Sequence, residues 1–397
     1  MDAFIAAEAT AGEPLRLPFH DRYFALMSER GFDDETATLY LGFFFQLRRT
    51  FYFIERNLPS SSKTMERFRE ALWNNVLTFD RKIYATRIWR RMEDFSTLLL
   101  GETGTSKGSA AAAIGQSGFI PYNRSTKQFQ ASFTQSFVSL NLCQFPESLI
   151  ESELFGHRKG AFTGAIVDHQ GALARCNEFS ALFLDEIGEV GVPVQVKLLQ
   201  VLQDRTYNPV GHTTPARFAG RVIAATNRTY EALRVDDGFR DDFLYRLCSD
   251  VIEVPTLRGR VAERPEELNE LVAVIVERIV GEADARLSAL VLESLNRDLP
   301  VGYSWPRNVR ELEQAVRRVM LTGGCKTTAA ASSVTGDDTW QQMQAGQLRA
   351  DEVVGRYCAM LYAVDPVYSN VAEKTGLDRR TVRKHVQNYL GHTSERS

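Results

Sequence analysis

The sequence has no pair of cysteines at C-x-x-C spacing: Cys143, Cys176, Cys248, Cys325 and Cys358 are scattered and odd in number. Neither a zinc site nor a disulfide framework is indicated, and the pattern suits a reducing cytoplasm. The start, MDAFIAAEATAGEPLRLPFHD, lacks a basic stretch before a long apolar run, so no signal peptide is expected. No apolar run reaches the length of a membrane span, so no membrane partner is expected either. Charge of one sign is not in excess, with 47 Lys and Arg against 50 Asp and Glu. Any nucleic-acid surface must therefore be local. What the 397 residues do have is 44% hydrophobic composition, enough for two or three buried cores.

Residues 20–57 carry apolar and aromatic residues at three- and four-residue spacing, which predicts helices. LPSSSKTMERFRE follows, with Ser62 as an expected N-cap and a boundary near residue 58. Residues 1–58 are read as an N-terminal helical segment, either a small regulatory module or an extension of the next domain. Over 59–256 the short apolar runs FSTLLL, FVSLNL, ALFLDEI, RVIAATN and DVIEVP alternate with helical stretches. That alternation predicts an α/β core with a parallel sheet flanked by helices. Residues 257–322 read as a helical lid, 323–349 as a linker, and 350–397 as three short helices.

The run FSTLLL breaks into GETGTSKGSA, residues 101–110. A Gly-rich loop between a strand and a helix wraps phosphates with backbone N–H groups, and a Lys reaches the terminal phosphates. Gly101, Gly104 and Lys107 keep the spacing G-x-x-x-x-G-K-[ST], but Ser106 replaces the second Gly and Gly108 replaces the Ser or Thr. ALFLDEIGEV ends a buried strand on Asp185 and Glu186, where α/β sheets bind ligands. There Asp185 suits Mg²⁺, often through water, and Glu186 suits polarising a water. Thr226 and Asn227 end another strand. Arg240 and Arg246, six apart in FRDDFLYRL, read from spacing alone as surface ion-pairing residues. GAFTGA, residues 160–165, has small residues around one aromatic and reads as a contact device or a lid.

GETGTSKG, ESELFGHRKGAFTGA, LFLDEIGEV, VQVKLLQVLQDRTYNPVG, VIAATNR, FRDDFLYRL and WPRNVRELEQAV together resemble the sigma-54-dependent transcriptional activators of the AAA+ ATPase superfamily. The resemblance covers about residues 60–322, and GAFTGA is its most specific part. It implies that Gly101, Glu102, Thr103, Gly104, Thr105, Ser106, Lys107 and Gly108 are a Walker A loop for ATP and that Asp185 and Glu186 are Walker B, with Mg bound at Asp185. It implies that Asn141 holds the catalytic Glu, that Thr226 and Asn227 are a first sensor and Arg310 a second, and that Arg240 and Arg246 are arginine fingers acting in trans. Gly160, Ala161, Phe162, Thr163, Gly164 and Ala165 would contact sigma-54 RNA polymerase. Fingers in trans imply a hexameric ring of this chain. No receiver domain is visible, and residues 74–94 look longer than the usual approach to Walker A.

VYSNVAEKTGLDRRTVRKHVQNYL, residues 367–390, reads as a helix-turn-helix for double-stranded DNA upstream of promoters. Ser369 is expected to cap its first helix and Asp378 its second, with Gly376 in the turn. Arg379, Arg380, Thr381, Arg383 and Lys384 are the expected DNA contacts. The reading is an ATP-driven activator acting on sigma-54 polymerase. The rival is a DNA-binding regulator whose ATPase is weak or inactive because of Ser106. Serine at a position needing positive φ costs about 1 kcal/mol or more.

Overall fold

The computed structural model describes all residues except 57, 59, 61, 301, 326–347, 365–366 and 395–397. It divides into one unit of Met1–Gly323 and a second of Gly324–Ser397. Most of the expected linker, 323–349, lies outside the described residues.

The larger unit opens with α1 (Asp2–Ala11), α2 (His20–Glu29), α3 (Asp34–Phe51) and α4 (Lys63–Leu77). Asp33 caps α3 by accepting from the Thr36 N–H at 2.7 Å, and Ser62 caps α4 through Met65. Three short helical turns carry the chain from Arg81 to Asp94. The α/β core follows as β1 (Thr97–Leu100), α5 (Lys107–Gly115), β2 (Phe137–Asn141), α6 (Glu147–Phe155), β3 (Ala181–Asp185), α7 (Val192–Asp204), β4 (Arg221–Thr226), α8 (Asp241–Leu247) and β5 (Asp250–Glu253). Helices α9 (Leu257–Glu263), α10 (Glu267–Val280), α11 (Ala285–Asp298) and α12 (Asn308–Thr322) complete the unit.

The five strands pair in the order β2-β3-β4-β1-β5, all parallel. A parallel sheet is buried on both faces, so its strands read as unbroken apolar runs. Their residues alternate between two cores. Leu99, Phe183, Ile223 and Ala225 face one side with Ala110, Ala111 and Ile114 of α5. Leu98, Leu100, Leu182, Leu184, Val222 and Ala224 face the other with Leu154, Leu198 and Phe243.

The N-terminal helices share the first of these cores. Phe4, Ile5, Leu41 and Phe45 are buried in the same cluster as α5, so residues 1–56 extend the α/β unit. Arg49 is fully buried, and its guanidinium donates to the Gln116 and Gly118 carbonyls at 2.7 and 2.6 Å.

The smaller unit contains α13 (Ala350–Val364), α14 (Tyr368–Thr375) and α15 (Arg379–Ser394) around buried Cys358, Val371, Val382 and Val386. Two of the three helices are longer than the short patterns expected. Ser369 does not cap α14, whose N-cap position is Val367. The first turn begins two residues earlier than expected, which puts Ser369 inside the helix, and Tyr368 at its start stacks on Tyr362 with ring centroids 4.5 Å apart.

Candidate nucleotide site and contact loops

The carboxyl ends of β1 and β3 converge on one cleft, the place where open parallel sheets hold ligands, and Thr226 and Asn227 at the end of β4 are not in its lining. A cavity of about 290 Å³ there is lined by Gly104, Lys107, Asp185, Glu186 and Arg310 among others. Beside it lies a cavity of about 90 Å³ with apolar walls from Leu58, Met65, Phe68, Leu271 and Ile275. Ser106 and Ser109 border both.

The loop after β1 is shaped by two left-handed residues. Gly104 has φ +83°, and a Cβ there would lie 2.0 Å from the Arg307 carbonyl oxygen, so only glycine fits. Ser106 also takes the left-handed conformation, at φ 74° and ψ 34°. The departure from the glycine pattern therefore falls where the backbone is strained for an L side chain. Gly108 is different: a Cβ there meets only Phe183, at 3.9 Å. Lys107 opens α5 and its ammonium donates to the Gly101 and Glu102 carbonyls at 2.7 and 3.2 Å. Burial lowers its pKa, against the opposing carboxylates of Glu186 and Asp185.

Asp185 and Glu186 end β3 as expected. Burial raises the Glu186 carboxyl above the usual range; Lys107 opposes this, while Asp185 and Glu189 add to it. Its Oε2 is buried without a hydrogen-bond partner. Asn141 does not hold Glu186: its amide donates to Asp185 Oδ2 at 3.2 Å. The reason is register, since Asn141 and Asp185 are paired residues on adjacent parallel strands and share a face of the sheet. Thr226 is buried, and its hydroxyl accepts from the Arg228 N–H at 3.2 Å while Asn227 is exposed.

Arg310 reaches the cleft from α12, and its backbone N–H bonds the Gly104 carbonyl at 3.4 Å. Sequence reasoning missed how tightly this element is latched to the loop. Asn308, fully buried at φ 53°, donates to Glu102 Oε2 at 3.2 Å and to the Thr103 carbonyl at 3.1 Å, and accepts from Leu257 N–H at 2.8 Å. Arg258 forks onto the Glu102 carboxylate. Asn308 sits two residues before Arg310 in WPRNVREL, and its short polar side chain at a helix start was the available signal.

Arg240 and Arg246 are brought to no cavity of the same chain's cleft. Arg240 is exposed and forks onto Asp242, and exposed Arg246 donates to the Leu202 carbonyl at 3.1 Å. The GAFTGA residues form a closed turn on the surface. Gly160 N–H bonds the Ala165 carbonyl at 2.8 Å, and Gly160 and Gly164 have φ +83° and +104°. Its base is fixed by a bridge between His157 and His169 and by Asp168, which accepts from Lys159 N–H at 2.8 Å and pairs with Arg158. Phe162, Ile166 and Val167 are exposed apolar residues, and the last two extend the tip beyond the six residues expected. In the smaller unit, Asp378 caps α15 through Arg380 and Thr381 at 2.9 and 3.1 Å. Arg379, Arg380, Arg383 and Lys384 are exposed along its first turns.

A parallel sheet of this order, a glycine loop opening α5, an acid pair ending β3 and a helical lid carrying an arginine define the AAA+ ATPase class. Residues 81–253 match the Sigma-54 interaction domain. The chain is 36% identical over 300 residues to the Nif-specific regulatory protein of Azotobacter vinelandii, covering 74% of this chain and 54% of that protein. It is 34% identical over 272 residues to the regulatory protein AtoC of Escherichia coli strain K12, covering 66% and 55%. The chain thus spans about half the length of these curated relatives. NtrX from Brucella abortus in complex with ATP has a related structure, with a TM-score of 0.51 and 21% identity over 94% of this chain and 76% of that one. Through residues 81–253 the chain belongs to the Sigma-54 interaction domain family.

Proposed function

We propose that this protein hydrolyses ATP in the cleft at the end of the sheet and uses the cycle to remodel sigma-54 RNA polymerase bound at promoters. The observation that carries the reading is the convergence of Lys107, Asp185, Glu186 and Arg310 on one cavity at a helix N-terminus. The α5 N–H groups and Lys107 are suited to the phosphates, and the adjoining apolar cavity to a planar base. Asp185 fits a hydrated Mg²⁺, which takes one or two carboxylates together with substrate phosphates, and the buried, unpartnered Oε2 of Glu186 beside it fits a bound water. Magnesium would supply charge neutralisation on those phosphates. Glu186, held in a partly buried carboxyl site, positions and polarises the attacking water.

Arg240 and Arg246, outside their own cleft, suit completion of a neighbour's site in a ring, and an arginine in trans stabilises charge on the transferring phosphoryl group. The exposed GAFTGA turn is the surface for sigma-54, and α15 reads DNA upstream of the promoter with Arg379, Arg380, Thr381, Arg383 and Lys384. ATP-dependent open-complex formation on a sigma-54 promoter tests the whole reading. Turnover that depends on Glu186, lost in Glu186→Gln, supports it; a wild-type protein that binds the promoter without turnover sinks it. That outcome would favour the second reading, a regulator with a weak or inactive ATPase, which the Ser106 side chain bordering the cleft supports.

A further inference from the structure

Away from the nucleotide cleft, at the amino ends of the strands, the turns over 81–94 wall off a second concavity. An outer cavity of about 330 Å³ and an inner one of about 60 Å³ share Trp89, Met92, Glu93, Phe119, Glu178 and Phe179 in their linings. The aromatic walls are organised: Trp89 lies 4.3 Å from Phe119 between ring centroids, and the Arg90 guanidinium sits 4.7 Å over Trp89. At the inner end is Gln46, 1% exposed. Its amide nitrogen donates to the Tyr84 hydroxyl at 2.7 Å and the Ser117 carbonyl at 3.0 Å, while its oxygen, Oε1, has no partner. A buried acceptor left unpaired is destabilising, and a donor reaching it is correspondingly favoured. Small-molecule sites are concave, with aromatic walls and a few convergent polar groups.

We propose that this concavity binds a small planar aromatic compound carrying an N–H or O–H donor on one edge, with its ring against Trp89, Phe119 and Phe179 and its donor on Gln46 Oε1. The mouth carries both signs, Arg90 and Arg217 with Glu93 and Glu178, so it selects for no net charge on the ligand. The site depends on the 81–94 turns and is separate from the ATP reading.

The probe is indole, titrated calorimetrically into the full chain, with benzothiophene as the ring of the same shape lacking the N–H. Saturable one-to-one indole binding is expected, at least about tenfold tighter than benzothiophene, the factor one hydrogen bond to a buried acceptor supplies. Two variants check the location. Trp89→Ala removes a wall. Gly118→Val fills the inner end, where an added Cβ makes only ordinary contacts, 3.6 Å to the Phe179 carbonyl oxygen and 3.8 Å to that of Gly115. Each is expected to weaken indole at least about tenfold, with unchanged circular dichroism, while Lys107→Ala leaves it intact. Absence of saturable binding, equal affinity for benzothiophene, or indole binding unaffected by Gly118→Val with its fold intact each overturns the proposal.

Discussion

Replacing Ser106 with glycine separates two effects that the sequence pattern alone runs together. Ser106 is already left-handed, at φ 74°, in the loop as folded. The strain of an L residue there is roughly 1–2 kcal/mol. Glycine relieves it but loses roughly 0.5–1 kcal/mol more chain entropy on folding. The net expectation for Ser106→Gly is a stabilisation of about 0.5–1 kcal/mol, a rise in Tm of about 1–4 °C for a unit of this size. Ser106→Ala keeps the Cβ and the strain and gains nothing, so the Gly and Ala variants should differ by about 0.5–1 kcal/mol. Because the strain is incurred on folding, it does not by itself weaken ATP. A loss of affinity must come instead from the Cβ and hydroxyl crowding the phosphates, since Ser106 borders both cavities. Scanning calorimetry without nucleotide reads the first effect, and titration with a fluorescent ATP analogue reads the second. A several-fold gain in affinity confined to the Gly variant assigns the weakness to crowding. If the Gly variant is no more stable than the Ala variant, the left-handed strain argument is wrong.

Burial raises the Glu186 carboxyl, so at a pH near its ordinary value it stays protonated in the folded protein; the acidic limb of ATP turnover against pH is expected above the ordinary glutamate range, and a limb at or below it refutes Glu186 as the essential base. The Arg260–Glu267 pair is almost fully enclosed, with Ser60 donating to Glu267 at 2.7 Å. Glu267→Ala leaves a buried cation and should lower unfolding free energy by about 3–5 kcal/mol in denaturant titration. Arg246→Ala should abolish turnover while leaving nucleotide binding within about twofold, since the residue lines no part of its own cleft; equal loss of binding would show that it acts within its own subunit. Arg380→Ala or Arg383→Ala should weaken specific DNA binding by about 1–3 kcal/mol at fixed salt in a mobility assay, and unchanged binding would remove α15 from the DNA interface.

The strand ends were legible because a strand buried on both faces has nothing polar until it leaves the sheet. ALFLDE and RVIAATN announce Asp185 and Thr226 in that way, and the sheet order then sets them side by side. The latch on the loop was not legible. Glu102 and Arg258 are 156 residues apart, and Asn308 lies still further along, with no local signature to link them. Periodicity likewise declared α3 a helix but could not say what covered it. Phe44 is exposed while the next residue, Phe45, is fully buried, a distinction set by the core it meets and not by composition. The partner of Asn141 followed from strand register, which a single sequence does not display.

The packing of α3 bears on how residues 1–56 relate to the site. Helix α5 begins at the phosphate loop and ends at Gly115, a span of about 13 Å at 1.5 Å per residue. Just beyond its far end, the Gln116 and Gly118 carbonyls accept from buried Arg49. A cation suits that end of a helix, where unpaired carbonyls concentrate negative charge. Arg49 is itself stacked at 4.3 Å over Phe45, and burial pushes its pKa down to about 9 while Glu8 of α1 pulls it back up. The N-terminal helices thus hold one end of the helix whose other end would hold phosphate. A close-packed contact of this kind transmits displacement, because cores have little free volume to absorb it. A change in α1–α3 therefore has a direct mechanical route to Lys107, through one rigid helix.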